Sequence, residues 1–150
     1  IQAKKRLEAL NHDVQINAYP TRLTKENADE IIRTYDIIID GCDNFATRYL
    51  INDICVKWGK VYVYGAIRAF EGQVSVFNYQ GGPDYRHFFP DEKEISMPHP
   101  PKGVLGVTPG IIGCAEAAEV LKIIGEYGKV LSGKLWTINI KTMETHLISF

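Results

Sequence analysis

Three isoleucines in succession, Ile37, Ile38 and Ile39, constrain the fold more than any other stretch of this 150-residue chain. A β-branched run without polar alternation places apolar groups on both faces of a strand, and such a strand needs cover on both sides, as a parallel strand between helix layers has. Residues 45–58 follow with Tyr49, Leu50, Ile54 and Val56 at spacings that suit a helix beginning after Asn44, and residues 61–67 form the next strand. Strand, helix and strand in that order, with helices on both sides, predict a doubly wound parallel sheet.

The rest of the chain extends this frame. Ile1, Ala3, Leu7 and Leu10 have helical spacing, and Val14, Ile16 and Ala18 alternate as a short strand up to Pro20. Thr24 is placed to cap a helix that runs to Arg33. After Arg68, residues 72–79 alternate Val74, Val76 and Phe77 with polar positions, which reads as an antiparallel addition. Residues 81–107 hold Pro83, Pro90, Pro98, Pro100 and Pro101 and predict a long loop. Pro109 then opens a helix carrying Ile112, Ala115, Ala118, Leu121 and Ile124, and residues 135–140 and 145–150 close the chain as a hairpin. The expected fold class is α/β: a partial Rossmann-like doubly wound sheet, its parallel strands continued by antiparallel strands and a C-terminal hairpin, in a single domain over residues 1–150.

At 16.9 kDa the chain has room for one core. Seventeen basic and eighteen acidic side chains leave a formal charge of -1, so no global field attracts nucleic acid or an anionic membrane surface, and neither is an expected partner. No apolar stretch reaches the length of a membrane span and no basic segment followed by an apolar core opens the chain, which places the protein in the cytoplasm. Cys42, Cys55 and Cys114 are widely spaced with no C-x-x-C pair, and read as small buried hydrophobes.

The sharpest candidate site is Asp40-Gly41-Cys42-Asp43-Asn44, where a buried strand ends and a helix begins. Ligands bind at the carboxyl ends of strands in open parallel sheets. Asp40 and Asp43 beside a helix N-terminus can hold Mg²⁺ through the oxygen ligands it prefers; alternatively Asp43 or Asn44 caps the helix, which is the commoner use of such residues. Arg48 and Asn52 follow Asn44 at spacings of four, so all three share a helix face, and an arginine there suits bidentate contact with phosphate or carboxylate. Gly65 and Ala66 leave room at the end of the next strand.

Together, Asp40-Gly41-Cys42-Asp43-Asn44-Phe45-Ala46-Thr47-Arg48-Tyr49-Leu50-Ile51-Asn52, Gly65-Ala66, Glu71-Gly72-Gln73-Val74, Gly103-Val104-Leu105-Gly106, Pro109-Gly110-Ile111-Ile112-Gly113, Glu116-Ala117-Ala118-Glu119-Val120-Leu121-Lys122 and Ser132-Gly133-Lys134-Leu135 resemble the ThiF/MoeB/HesA family, related to ubiquitin-activating enzymes. The resemblance covers nearly the whole chain. It implies an adenylyltransferase that uses Mg²⁺ and ATP to adenylylate the C-terminal glycine of a ubiquitin-like sulfur-carrier protein ending in Gly-Gly, in thiamine or molybdopterin biosynthesis. It further implies a homodimer, Asp43 as the catalytic residue and Mg²⁺ ligand, and Asp43, Asn44, Arg48 and Asn52 as ATP-binding residues.

Several family features depart from this sequence. The family's Gly-rich phosphate loop, ribose-binding acid and catalytic arginine and lysine lie upstream of the segment matching Ile1, and no G-x-G-x-x-G occurs among the 150 residues. The expectation is a piece of a longer protein that alone binds ATP poorly and is inactive. Where many members have a zinc-binding C-x-x-C, this chain has Asp84 and His87, so zinc is not expected. The loop stretch Met97-Pro98-His99-Pro100-Pro101-Lys102 has no cysteine for the covalent step some members use, and His99 is either a proton-transfer residue or, as is commoner for a histidine in a Pro-rich loop, simply exposed. Two other readings stand beside the enzyme: a non-catalytic scaffold that binds the carrier or a second subunit, and a nicotinamide-dependent dehydrogenase, which needs the Gly-rich fingerprint.

Overall fold

The computed structural model describes residues 1–90 and 103–150. Its elements are α1 (Gln2–Leu10), α2 (Ala28–Ile32), β1 (Ile37–Ile39), α3 (Phe45–Trp58), β2 (Val61–Arg68), β3 (Glu71–Phe77), α4 (Tyr85–Phe88), α5 (Val107–Gly125), β4 (Lys134–Asn139) and β5 (Glu144–Ser149). The five strands form one sheet in the order β1-β2-β3-β4-β5. β1 pairs parallel with β2 through the crossover helix α3, and every later pair is antiparallel. The expected α/β class is therefore realised, with the isoleucine run as the parallel strand and the hairpin β4–β5 at the far edge.

Local chemistry sets the ends of α3. Asn44 is its N-cap, with Oδ1 accepting from the Thr47 backbone N–H at 2.9 Å and from the Thr47 hydroxyl at 2.8 Å. Gly59 closes it in the left-handed region at φ 61°, donating its N–H to the last-turn carbonyls of Cys55 and Val56. On one face of the sheet α3 and α4 bury Tyr49, Tyr62, Tyr64, Phe77 and Tyr85 as an aromatic cluster whose rings meet edge-on or tilted. On the other face α5 packs Ile112 against Val74 and Ile138. At Gly72 of β3 an added Cβ would overlap Ile112, which is the close approach that requires glycine there.

Four expectations need correction. Residues 14–18 form no strand; the segment is exposed at nearly every position and among the described residues has no neighbouring strand to complete a ladder, and alternation without a ladder does not make a strand. Thr24 does not cap α2 with its side chain: Asn27 Oδ1 instead accepts the Thr24 N–H at 2.8 Å, and the helix begins at Ala28. Cys114 is exposed on α5 and Cys42 is half-buried; only Cys55 is a core residue. In the stretch expected as loop over 81–107, Tyr85–Phe88 is a one-turn helix, while residues 91–102, including Met97 to Lys102 and His99, lie outside the described residues. Among the described residues no helix is long and apolar enough to cross a membrane.

Candidate functional site

β1 delivers Asp40 to the carboxyl edge of the sheet, where its side chain is wholly buried. Its Oδ2 accepts from Arg48 Nε at 2.8 Å and from the Tyr62 hydroxyl at 3.0 Å; its Oδ1 accepts from the Cys42 N–H at 2.8 Å. Every strong acceptor direction of this carboxylate is used inside the protein. Asp40 is thus a structural anchor for Arg48, and the Asp40–Asp43 pair read from the sequence as a two-carboxylate metal site is not assembled.

Arg48 is held on three sides. Besides Asp40, its Nη2 donates to the Cys42 carbonyl at 2.8 Å and to the Gly65 carbonyl at 3.4 Å, and its guanidinium carbon lies 5.7 Å and 5.5 Å from the ring centroids of Phe45 and Tyr64. Burial works against its charge, but Asp40 more than offsets that and raises its pKa. The Cys42 thiol donates to Asp40 Oδ1, and burial followed by the Asp40 charge pushes it up to about 12, which removes it as a nucleophile.

Asp43 differs from Asp40 in every respect. It is exposed, its Oδ1 accepts from Asn44 Nδ2 at 3.2 Å, and that hydrogen bond lowers its pKa, so it faces solvent as a carboxylate. Asp43, Asn44 and Arg48 line one side of a cavity of about 690 Å³. The strands supply its floor: Ala66, Gln73, Thr137 and His146 are successive register partners across β2, β3, β4 and β5 and all line the cavity. Asn52, the fourth residue expected at the site, does not line this cavity. It is 1% exposed, and its Oδ1 accepts the Tyr85 N–H at 2.9 Å, tying α3 to α4.

Of the residues singled out in the sequence, the fold brings together Asp43, Asn44 and Arg48, with Ala66 and Gln73 from the two small-residue motifs. Thr137 and His146 were not singled out, because only the β3–β4 register places Thr137 opposite Gln73 and only the hairpin register places His146 opposite Thr137. Asp84 and His87 build a capping box for α4: Asp84 Oδ1 accepts the His87 N–H at 3.1 Å and His87 Nδ1 lies 3.3 Å from the Asp84 N–H. Among the described residues no group of three or more His, Cys, Asp or Glu side chains converges as a metal site. A lone ionised carboxylate at a cavity mouth nonetheless fits Mg²⁺, which is commonly held by one or two carboxylates together with waters and substrate phosphates.

Comparison with known proteins gives concordant results. A model of the ThiF family matches residues 1–149. The chain is 50% identical over 143 residues to a probable molybdopterin-synthase adenylyltransferase of Pyropia yezoensis, covering 93% of this chain and 38% of that protein. It is 48% identical over 146 residues to a sulfur carrier protein adenylyltransferase of Thermus thermophilus, covering 89% of this chain and 52% of that protein. It is 43% identical over 137 residues to the adenylyltransferase and sulfurtransferase MOCS3 of Mus musculus, covering 86% of this chain and 28% of that protein. The chain thus spans about half or less of the curated relatives it matches. A crystal structure of E. coli MccB with ATP shares the fold at TM-score 0.77 and 17% identity, covering 97% of this chain and 46% of that one.

Proposed function

Because the chain belongs to the ThiF family, we propose that it is the C-terminal part of an adenylyltransferase that activates the C-terminal glycine of a ubiquitin-like sulfur carrier ending in Gly-Gly. The observation that carries this reading is the cavity that joins an ionised, exposed Asp43 to a rigidly seated Arg48 at the carboxyl end of a parallel strand. Relatives named for adenylylation of sulfur carriers and for molybdopterin synthase support the substrate class; thiamine biosynthesis is the other pathway in which this chemistry would serve.

In the proposed reaction a carboxylate oxygen of the carrier bonds to the α-phosphorus of ATP while the bond to the oxygen bridging toward the β-phosphate breaks, giving an acyl-adenylate and pyrophosphate. Asp43 would hold Mg²⁺, which when bound neutralises phosphate charge. Arg48 presents a fixed positive charge toward the same space, and because its position is set before substrate arrives, little reorganisation is needed as charge develops on phosphate oxygen. Asn44 orients Asp43 through its amide while capping α3. Cys42, held as a thiol, takes no covalent part. The working form we propose is a cytoplasmic homodimer.

The test is ATP–pyrophosphate exchange by the full-length protein with a Gly-Gly-terminated carrier. Asp43→Ala should abolish exchange while the protein still melts at the wild-type temperature; undiminished exchange would overturn the role of Asp43. Absence of exchange in the wild type together with tight carrier binding would instead identify a scaffold.

A further inference from the structure

Two buried side-chain polar atoms among the described residues have no hydrogen-bond partner: the Tyr85 hydroxyl and Glu116 Oε1. Tyr85 lies within the aromatic cluster, whereas Glu116 lies against the frame of the site. It is 7% exposed, projects from α5 onto β2, and its carboxyl occupies the space in which a Cβ of residue 65 would stand. Gly65 therefore has the Glu116 carboxyl against its α-carbon on one face of the sheet, while its carbonyl accepts from Arg48 Nη2 at 3.4 Å. Arg48 is in turn clamped by Asp40. An acid, a glycine of β2, a guanidinium and a second acid lie in series through the sheet.

We propose that Glu116 is a positioning residue for the adenylylation site, and that it supports Gly65 and, through the Gly65 carbonyl, the Arg48 guanidinium only as the neutral acid. This rests on the reading of the Asp43–Arg48 cavity as the adenylylation site. A neutral carboxyl can lie against backbone at modest cost, but a buried carboxylate with an unpaired oxygen must reach water or a donor. Leaving its place would open a void beneath Gly65, and β2 would no longer be held at the distance that lets Arg48 bond it. The charged groups around Glu116 favour the proton: Asp40 at the end of β1 repels the carboxylate, Arg48 on α3 offsets part of that, and Glu119 on α5 is committed to Lys122 and to the Leu131 N–H. β3 contributes apolar Val74 and Ile112-packed Gly72 to this face. Burial first and Asp40 second push the Glu116 carboxyl up to about 7, so the change of state falls at ordinary working pH.

The experiment compares wild type and Glu116→Gln in the full-length protein. The glutamine keeps the shape of the neutral acid and cannot ionise. For wild type, kcat/KM of ATP–pyrophosphate exchange should fall about tenfold between pH 6 and pH 8.5 with a midpoint near 7; for the variant that limb should be absent and the low-pH rate retained. Superimposable profiles would overturn the proposal. Urea unfolding of both proteins across the same range separates this idea from the assigned activity. Wild type should lose stability from pH 5 to 7.5 and the variant should not, and an equal pH dependence would overturn the proposal even if no carrier supports exchange.

Discussion

Asp40 and Asp43 are three positions apart in the sequence, and their environments give them opposite tasks. Arg48→Ala would leave the Asp40 carboxylate buried with only the Tyr62 hydroxyl and the Cys42 N–H and thiol as partners, and removing one member of a buried ion pair costs roughly 3–5 kcal/mol. Urea unfolding of the full-length variant should show a loss of that size. Asp43→Ala removes an exposed side chain whose one described bond is to Asn44, so its stability should stay within about 0.5 kcal/mol of wild type while exchange is lost. A pattern in which both variants unfold equally easily would mean that the division between anchor and reactive acid is wrong. The sequence displayed both aspartates but not this division, because which carboxylate is buried depends on the register between β1 and β2. For Glu116 the signal was weaker still: it occupies an unremarkable position on an apolar-rich helix, and its partner is a glycine fifty-one residues away, a pairing that no local spacing encodes.

At the scale of elements, α3 carries the site on its first turns and the core on its later ones. Asn44 and Arg48 face the cavity, whereas Asn52 two turns on bonds α4 through the Tyr85 N–H. Asn52→Ala should therefore cost about 1–3 kcal/mol by leaving a buried backbone donor unpaired, with KM for ATP unchanged. A rise in KM for ATP without loss of stability would instead return Asn52 to the nucleotide. The left-handed Gly59 that ends α3 played no part in the sequence reading, but the start of the helix was legible from Asn44, because a cap side chain is local chemistry. So were β1, β2 and the final hairpin, since their apolar patterns match the ladders they form. The stretch 14–18 shows where this logic ends: alternation reports a side-chain pattern, and a strand also needs a neighbour to take its backbone hydrogen bonds.

For the molecule as a whole, several elements expose large apolar side chains. α1 buries none of its residues, Ile39 of β1 is 52% exposed at the open edge of the sheet, and Leu121 and Ile124 of α5 are exposed as well. The triple isoleucine calls for cover on both faces, yet here Ile38 packs against the core cluster on the α3 side while Ile39 is left exposed, and β1 is paired along one edge alone. The relatives are about two to three and a half times as long as the stretch of them that this chain matches, and if the chain is part of a longer protein, as proposed above, further sequence would cover this surface. The 150-residue chain made alone should accordingly bind a hydrophobic dye and self-associate, and exchanging Ile39 and Ile124 for threonine and glutamate should reduce both. The same chain should respond little to Mg²⁺ and ATP. A ligand raises the melting temperature only in proportion to its affinity for the folded state, and the Asp43–Arg48 side of the cavity offers one carboxylate and one guanidinium without a glycine-rich backbone cradle for the phosphates. A shift of about 1 °C or less at millimolar ATP is expected by differential scanning fluorimetry, against several degrees for the full-length protein. An equal, large shift in both would mean that the 150 residues already contain the nucleotide's principal contacts, and that Arg48, Asn44 and Asp43 bind phosphate far more strongly than their geometry indicates.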